Sequence, residues 1–313
     1  MRFLLWACVA TIAVVDGTAV PWVLENACVL ALACVKCWLL QRFEHLAPLL
    51  VFGASNLVLV EGTIAIQALL NAMWYRSVPV FHARAPGHSL QDMVANVMRS
   101  TVPVHVLTTV AVALLCAVVG EECTLPHDYS LADDLASLSF GAVCAKFAAF
   151  RLVSDVAFYA THRAQHHPRL YAWTHSRHHQ HRRTSLRTNF QFTSVDLMLE
   201  GSVPSLVAGV ALSPCTTFSP LELGLFMGYV QWYQIGSHSA KDVNSVTALP
   251  PLAPLVNWSR LRPLRPAALR HHRHIRFHAA HHRAVTGNYG ISPWMDVLLG
   301  TVVPQATKDS ASS

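Results

Sequence analysis

Fourteen of the chain's nineteen histidines fall between His162 and His282. Eight form three compact clusters: His162 with His166; His175 with His178 and His179; His278 with His281 and His282. His238 stands alone between the second and third. A neutral imidazole offers a lone pair near pH 7, which makes histidine the commonest metal ligand among side chains. Side chains three and four residues apart share a helix face, so an i, i+4 pair can chelate one ion. A triplet at i, i+3, i+4 can give two imidazoles to one metal and one to its neighbour. His274, four residues before His278, lies on the same face and is a tenth candidate ligand. Nine or ten imidazoles exceed the needs of one ion; they suit two, each with about four or five nitrogen ligands and an open position. None of the eight cysteines lies inside a cluster, which argues against zinc-finger chemistry. Imidazole suits zinc, copper, iron and nickel alike, so the ligand set alone does not name the metal.

Three further polar residues are candidates for holding or orienting these imidazoles. Asp155, Tyr159, His162 and His166 are spaced by four, three and four along one expected helix, Leu135–His166. Asp155 would lie about 10 Å from His162 along a straight helix. That is too far for a hydrogen bond, so Asp155 is expected to orient a ligand on another helix. Asp242 follows His238 by four residues and is expected to be its carboxylate partner.

The elements around these residues read as membrane helices. Of 313 residues, 53% are hydrophobic and 13% charged, against roughly 25% charged in an average globular protein. Mean hydropathy is +0.35. Apolar runs long enough to approach a span of about 20 residues are Phe3–Val20, Trp22–Leu40, Leu46–Trp74, Thr101–Gly120, Leu135–Tyr159, Leu197–Leu212 and Leu221–Ile235. The last two are short and carry Glu200 and Glu222, which suggests re-entrant segments or helices packed against others. The first run is read as a retained helix rather than a cleaved leader. Cys34 and Cys37 match a C-x-x-C spacing but read as buried small residues, with no second pair to complete a site. The expected division is a hydrophobic region at 1–134, a catalytic region at 135–301 and a polar tail at 302–313.

The net charge of +6 is unevenly spread. Arg163, Arg169, Arg177, Arg182, Arg183 and Arg187 surround the first two clusters, and Arg260, Arg262, Arg265, Arg270, Arg273, Arg276 and Arg283 surround the third. Short basic segments beside membrane helices favour the cytoplasmic side, so both regions are expected on one cytoplasmic face. No aromatic stacking surface or nucleic-acid motif accompanies the arginines, and no nucleic-acid partner is expected. The fold expected is all-α: a polytopic membrane bundle with a cytoplasmic helical cap carrying a multi-histidine two-metal site.

The run from Tyr159 through His162, His166 and Tyr171 to His175, His178 and His179 resembles the fatty acid hydroxylase/sterol desaturase superfamily. So do Phe277, His278, His281 and His282, followed by Gly287, Asn288, Tyr289 and Gly290, and by Trp294, Asp296, Gly300 and Thr301. The similarity covers roughly residues 140–301. It implies an integral membrane enzyme of the endoplasmic reticulum with a non-haem di-iron centre. It implies O2 as co-substrate, and two electrons delivered from NAD(P)H through cytochrome b5 or a reductase. The substrate implied is a lipid, a sterol or fatty acyl chain, that is hydroxylated or desaturated. Ligand roles carry over to His162, His166, His175, His178, His179, His278, His281 and His282, with His238 matching the histidine between the second and third boxes. Two other readings compete: a non-catalytic lipid-binding scaffold that keeps a metal site, and a metal transporter, whose ligands should lie near the bilayer midplane.

Overall fold

A computed structural model describes residues 2–43, 48–81, 89–119, 128–186, 188–243, 247, 249–257 and 274–303. Expectations that fall on Arg187, on the arginines from 260 to 273 or on the tail from 304 lie outside those residues. The chain is all-helical. No strand occurs among the described residues, where one isolated antiparallel bridge joins Val80 to Lys241.

Four helical stretches are long and apolar enough to cross a membrane: Ala19–Phe43, Leu50–Met73, Gln91–Leu114 and Ser194–Leu212. The chain is an integral membrane protein. The first (α2, Ala19–Phe43) and second (within α3, Pro48–Met73) agree with two expected spans. The third begins ten residues before the expected Thr101, because α4 (Leu90–Asn96) runs through a π-helical turn, Val97–Thr101, into α5 (Val102–Val119). The N-terminal run forms a shorter helix, α1 (Arg2–Val15), that stops before Gly17 at φ +66°. At 14 residues it falls below the length needed to span. Leu50, Met73, Val106 and Leu114 point outward from α3 and α5, as lipid-facing side chains do.

The expected single helix Leu135–His166 is two helices. Following α6 (Leu131–Ser137), the chain turns by 93° into α7 (Phe140–Gln165). Leu138 and Ser139 are extended at the corner, with ψ of 129° and 119°, which helical hydrogen bonding cannot continue through.

The core lies where α7 meets α11 (Pro220–Ser237) and α2. Phe147 and Phe150 of α7 pack against Phe226 and Tyr229 of α11, beside Val29, Ala33 and Cys37 of α2. The two backbones approach closely because Gly228 has no side chain: a Cβ there would sit 2.8 Å from Val29 Cγ1. Small residues at such crossings are how membrane helices gain contact without a hydrophobic driving force. The expected run Leu221–Ile235 is therefore a central helix buried on most sides, in line with packing against other helices. The thiols of Cys8, Cys28, Cys34, Cys37, Cys144 and Cys215 are free.

Candidate metal centre

The ends of two long helices and three shorter elements meet at one end of the core and carry the histidines. His162 is in the last turn of α7, and His166 follows its end. His175 closes α8 (Pro168–Thr174), and His178 and His179 open a 3-10 turn, His178–Gln180. His238 caps the end of α11, and His278, His281 and His282 lie on α13 (His274–Ala284).

The side chains sort into two groups. His162, His166, His175, His179 and His281 converge in one; His178, His238, His278 and His282 converge in the other. Within each, the candidate ligand atoms lie within 4.8 Å of one another. Each triplet divides as its spacing predicts. His175 and His179 face the first group and His178 the second; His278 and His282 face the second and His281 the first. The second triplet does this across a helix end and a 3-10 turn rather than on one regular helix.

Hydrogen bonds fix which nitrogen carries the proton. A carbonyl can only accept, so His162 Nδ1 donates to Tyr289 O at 2.7 Å, His281 Nδ1 to Gly287 O at 2.7 Å and His238 Nδ1 to Gln234 O at 2.9 Å. His175 Nδ1 meets the Asp196 carboxylate at 2.8 Å. The Nε2 atoms of these neutral rings are then lone pairs aimed inward. Yet the Nε2 atoms of His162 and His175 stand 3.0 Å apart, those of His175 and His179 3.0 Å, and those of His238 and His278 3.2 Å. For His162 and His175, whose Nδ1 atoms both carry the proton, lone pair faces lone pair, which is repulsive unless a cation lies between. Two nitrogens about 2.1 Å from one ion stand roughly 3.0 Å apart at a right angle and roughly 3.4 Å apart at the tetrahedral angle. The observed separations fall in that interval, so the residues present fit a metal pair.

Electrostatics agree. Burial holds His175, His178, His179, His278 and His282 well below the usual imidazole pKa, and neighbouring imidazoles add to the shift. Burial takes His238 and His281 down to about 4. These rings are neutral near pH 7, the form that ligates.

The loop between α13 and α14 (Trp294–Leu298) delivers the two carbonyls that orient His281 and His162. The Asp296 carboxylate accepts from the amides of Tyr289 (2.8 Å) and Gly290 (2.7 Å), and from Thr301 Oγ1 (2.6 Å). Asn288 donates to Phe277 O. Gly287 takes φ +78°, and a Cβ there would lie 2.4 Å from Thr301 O. The asparagine-tyrosine-glycine and tryptophan-to-threonine elements thus act as the mount of two imidazoles.

Four expected site residues need correction. Asp155 orients no imidazole; its carboxylate accepts from the amides of Ile291 and Ser292 and from Ser292 Oγ, which anchors that same loop. Asp242 does not reach His238, whose Nδ1 is taken by Gln234 one turn back along α11; Asp242 pairs instead with Arg276 at 2.6 Å. Tyr159 hydrogen-bonds Thr301 Oγ1 at 3.0 Å rather than any imidazole. His274 joins neither group. It sits about 6 Å below His278 along the helix, its ring edge-on to Tyr233.

Two residues of the site escaped the sequence reading as site residues: Asp196, fully buried against His175, and Glu200, whose Oε1 lies 3.4 Å from His162 Nε2. They are four apart in an apolar helix, and an ionisable residue there is a functional candidate by default; that was the available signal.

Comparison with known proteins gives one family. Residues 147–301 match the family model described as fatty acid hydroxylase. No curated protein and no solved structure matches the chain. The matched segment begins at Phe147 in the α7 core and ends at Thr301, so it takes in both histidine groups and the loop that mounts them. By this match, residues 147–301 belong to the fatty acid hydroxylase family, within the sterol desaturase/fatty acid hydroxylase superfamily.

Proposed function

We propose that the protein is a membrane oxidoreductase that holds two iron ions, uses O2 and two electrons, and hydroxylates or desaturates a lipid, either a sterol or a fatty acyl chain. The observation that carries this reading is the convergence of nine imidazoles into groups of five and four, four of them with their proton fixed on the outer nitrogen, at the end of apolar helices. The first iron would be held by His162, His166, His175, His179 and His281, the second by His178, His238, His278 and His282. When bound, such a pair supplies the redox chemistry with O2 that an unactivated C–H bond requires.

The chain's own residues do the rest. Tyr289, Gly287 and Gln234 carbonyls hold three imidazoles in the ligating tautomer. Phe192 stacks on His178 with ring centroids 4.3 Å apart, and with the apolar core helices it keeps water from the site. Seven of the nine imidazoles are buried, His166 and His278 partly so. Arg163, Arg169, Arg182, Arg183 and Arg283 are exposed beside the groups. This basic surface supports a cytoplasm-facing site and docking of an acidic electron donor such as cytochrome b5 or its reductase. The family resemblance supports an endoplasmic reticulum membrane.

The test is metal analysis of detergent-purified protein combined with lipid profiling of an expressing host. Two irons per chain and a newly oxidised lipid are expected. Zinc or no metal, with an unchanged lipid profile, would replace this reading with a binding or scaffold role.

A further inference from the structure

The two histidine groups differ at one edge, and the difference lies on Ser194–Leu212. That stretch begins as α9 (Ser194–Leu197), widens into a π-helical turn at Met198–Ser202 and continues as α10 (Val203–Leu212). Single π turns inside helices recur at functional sites because they re-aim a side chain and free backbone carbonyls. Here the freed carbonyls are taken from outside: Thr161 Oγ1 donates to Leu199 O at 2.9 Å, and Gln234 Nε2 donates to Glu200 O at 3.2 Å. Gln234 is the residue whose own carbonyl holds His238. The turn is thus fastened to helices of both groups, and it carries Glu200 inward.

Glu200 Oε1 is buried, and no hydrogen-bond donor among the described residues reaches it. It lies 3.4 Å from His162 Nε2 and 3.4 Å from His175 Nδ1. The first nitrogen is a lone pair, because His162 has its proton on Nδ1. The second directs its hydrogen bond to Asp196. An ionised carboxylate and an imidazole lone pair are both acceptors, so neither satisfies the other unless a cation, or a proton on Glu200, lies between them. Their separation matches that between the imidazole nitrogens themselves. Glu200 clusters with His175 and Asp196 at the edge of the first group rather than with all five of its imidazoles, and among the described residues no carboxylate clusters with a histidine of the second.

We propose that Glu200 supplies an oxygen ligand to the ion of the first group, which makes the two metal positions chemically unequal. The first takes five imidazoles and a carboxylate and is closed; the second takes four imidazoles and keeps the open positions. This rests on the metal-binding reading above. Oxygen ligands favour harder ions, so the first position should also resist exchange by copper better than the second.

The experiment uses the full chain in detergent, loaded with ⁵⁷Fe(II), as wild type, Glu200→Gln, Glu200→Asp and Glu200→Ala. Iron is counted and Mössbauer spectra are recorded. Wild type should give two distinct quadrupole doublets of equal area. Glu200→Gln, close in shape, should move one doublet, leave the other in place and weaken retention of one iron by about 10-fold or more, beyond the low end for losing an orienting group. Glu200→Asp should fall between. Two irons with both doublets unmoved in Glu200→Gln would overturn the proposal alone. Wild type without metal would overturn the metal-binding reading and this with it. Five against four imidazoles already make the wild-type doublets differ, so the variants decide; should Glu200→Gln not fold, Glu200→Asp with both doublets unmoved would sink the inference.

Discussion

In the first histidine group three imidazoles are held through Nδ1, by the carbonyls of Tyr289 and Gly287 and by the Asp196 carboxylate. In the second, Gln234 holds His238 in this way, while the Nδ1 atoms of His178 and His282 have no hydrogen-bond partner among the described residues. His178 is positioned by the face of Phe192 instead. A hydrogen bond fixes both tautomer and ring rotation before metal arrives; a stacked ring fixes the plane but not the proton. His179 apart, whose Nδ1 also lacks a partner among the described residues, the first group is therefore preorganised, and the second gains much of its order from its ion. Under a chelator, the second metal should leave first.

The largest effects test whether each group owns one ion. His238→Ala leaves three imidazoles in the second group, and His281→Ala leaves four in the first. Each should abolish one metal equivalent and cut turnover by more than about 100-fold, the upper range for removing only an orienting partner. Metal counting on both variants decides the matter. If His238→Ala keeps two ions, the two groups are not separate sites.

Next comes the orienting carboxylate. Asp196→Asn keeps the shape but weakens the grip on His175, and should lower affinity for the first ion by about 10- to 100-fold, leaving the second unchanged. Competition with a chromophoric chelator reads both constants. Equal weakening of both ions would mean that Asp196 supports the fold rather than one group.

How much of this was readable beforehand depended on whether a partner was local. The histidine triplets divide between two ions because i+3 and i+4 diverge around the chain axis, and that geometry survives even where His175, His178 and His179 leave the regular helix. The apolar runs gave α2 and α3 for the same reason, since burial against lipid acts on every residue of the run. Asp155 and Asp242 were misjudged because their partners lie 136 and 34 residues away, and no spacing encodes them. Asp196 and Glu200 are visible as charges in an apolar helix, but Glu200 gets its aim from a π turn fastened by Thr161 and Gln234, which spacing does not encode. The corner at Leu138 and Ser139 interrupts a hydrophobic run that composition alone reads as continuous.

The loop that mounts the first group gives a smaller effect. Gly287→Ala forces a Cβ onto Thr301 O at a backbone φ of +78°, a strain of about 1–3 kcal/mol. Thermal unfolding should fall, and the first ion should weaken with it because the Gly287 carbonyl shifts from His281. An unchanged melting temperature with both ions intact would show that this carbonyl is dispensable.

Acid should act on the chelated protein through the same rings. Burial holds His238 and His281 at about 4 in the fold, against about 6.5 when unfolded. A depressed imidazole pKa favours the fold above 6.5, and that contribution is lost as pH falls from 6.5 towards 4, where the unfolded chain binds more protons. The melting temperature of metal-free protein should decline through this window. A flat profile would mean that these imidazoles are already hydrated and that the groups are not buried without metal.

The smallest effect belongs to Asp242, which its spacing places beside His238 and the structure pairs with Arg276. Arg276 donates from Nε and a terminal nitrogen to the Asp242 carboxylate, with side chains 37% and 21% exposed. Water screens such a pair, so Asp242→Asn should cost at most about 1 kcal/mol. Yet Arg276 lies on α13 between His274 and His278, and Asp242 follows the His238 turn, so the pair ties together two elements of the less anchored group. Loss of the bridge should therefore show, if anywhere, as slightly faster chelator release of the second ion, with the first untouched. A loss of metal as deep as that of His238→Ala would restore Asp242 to a direct role on His238 and undo the distinction between an anchored group and a packed one.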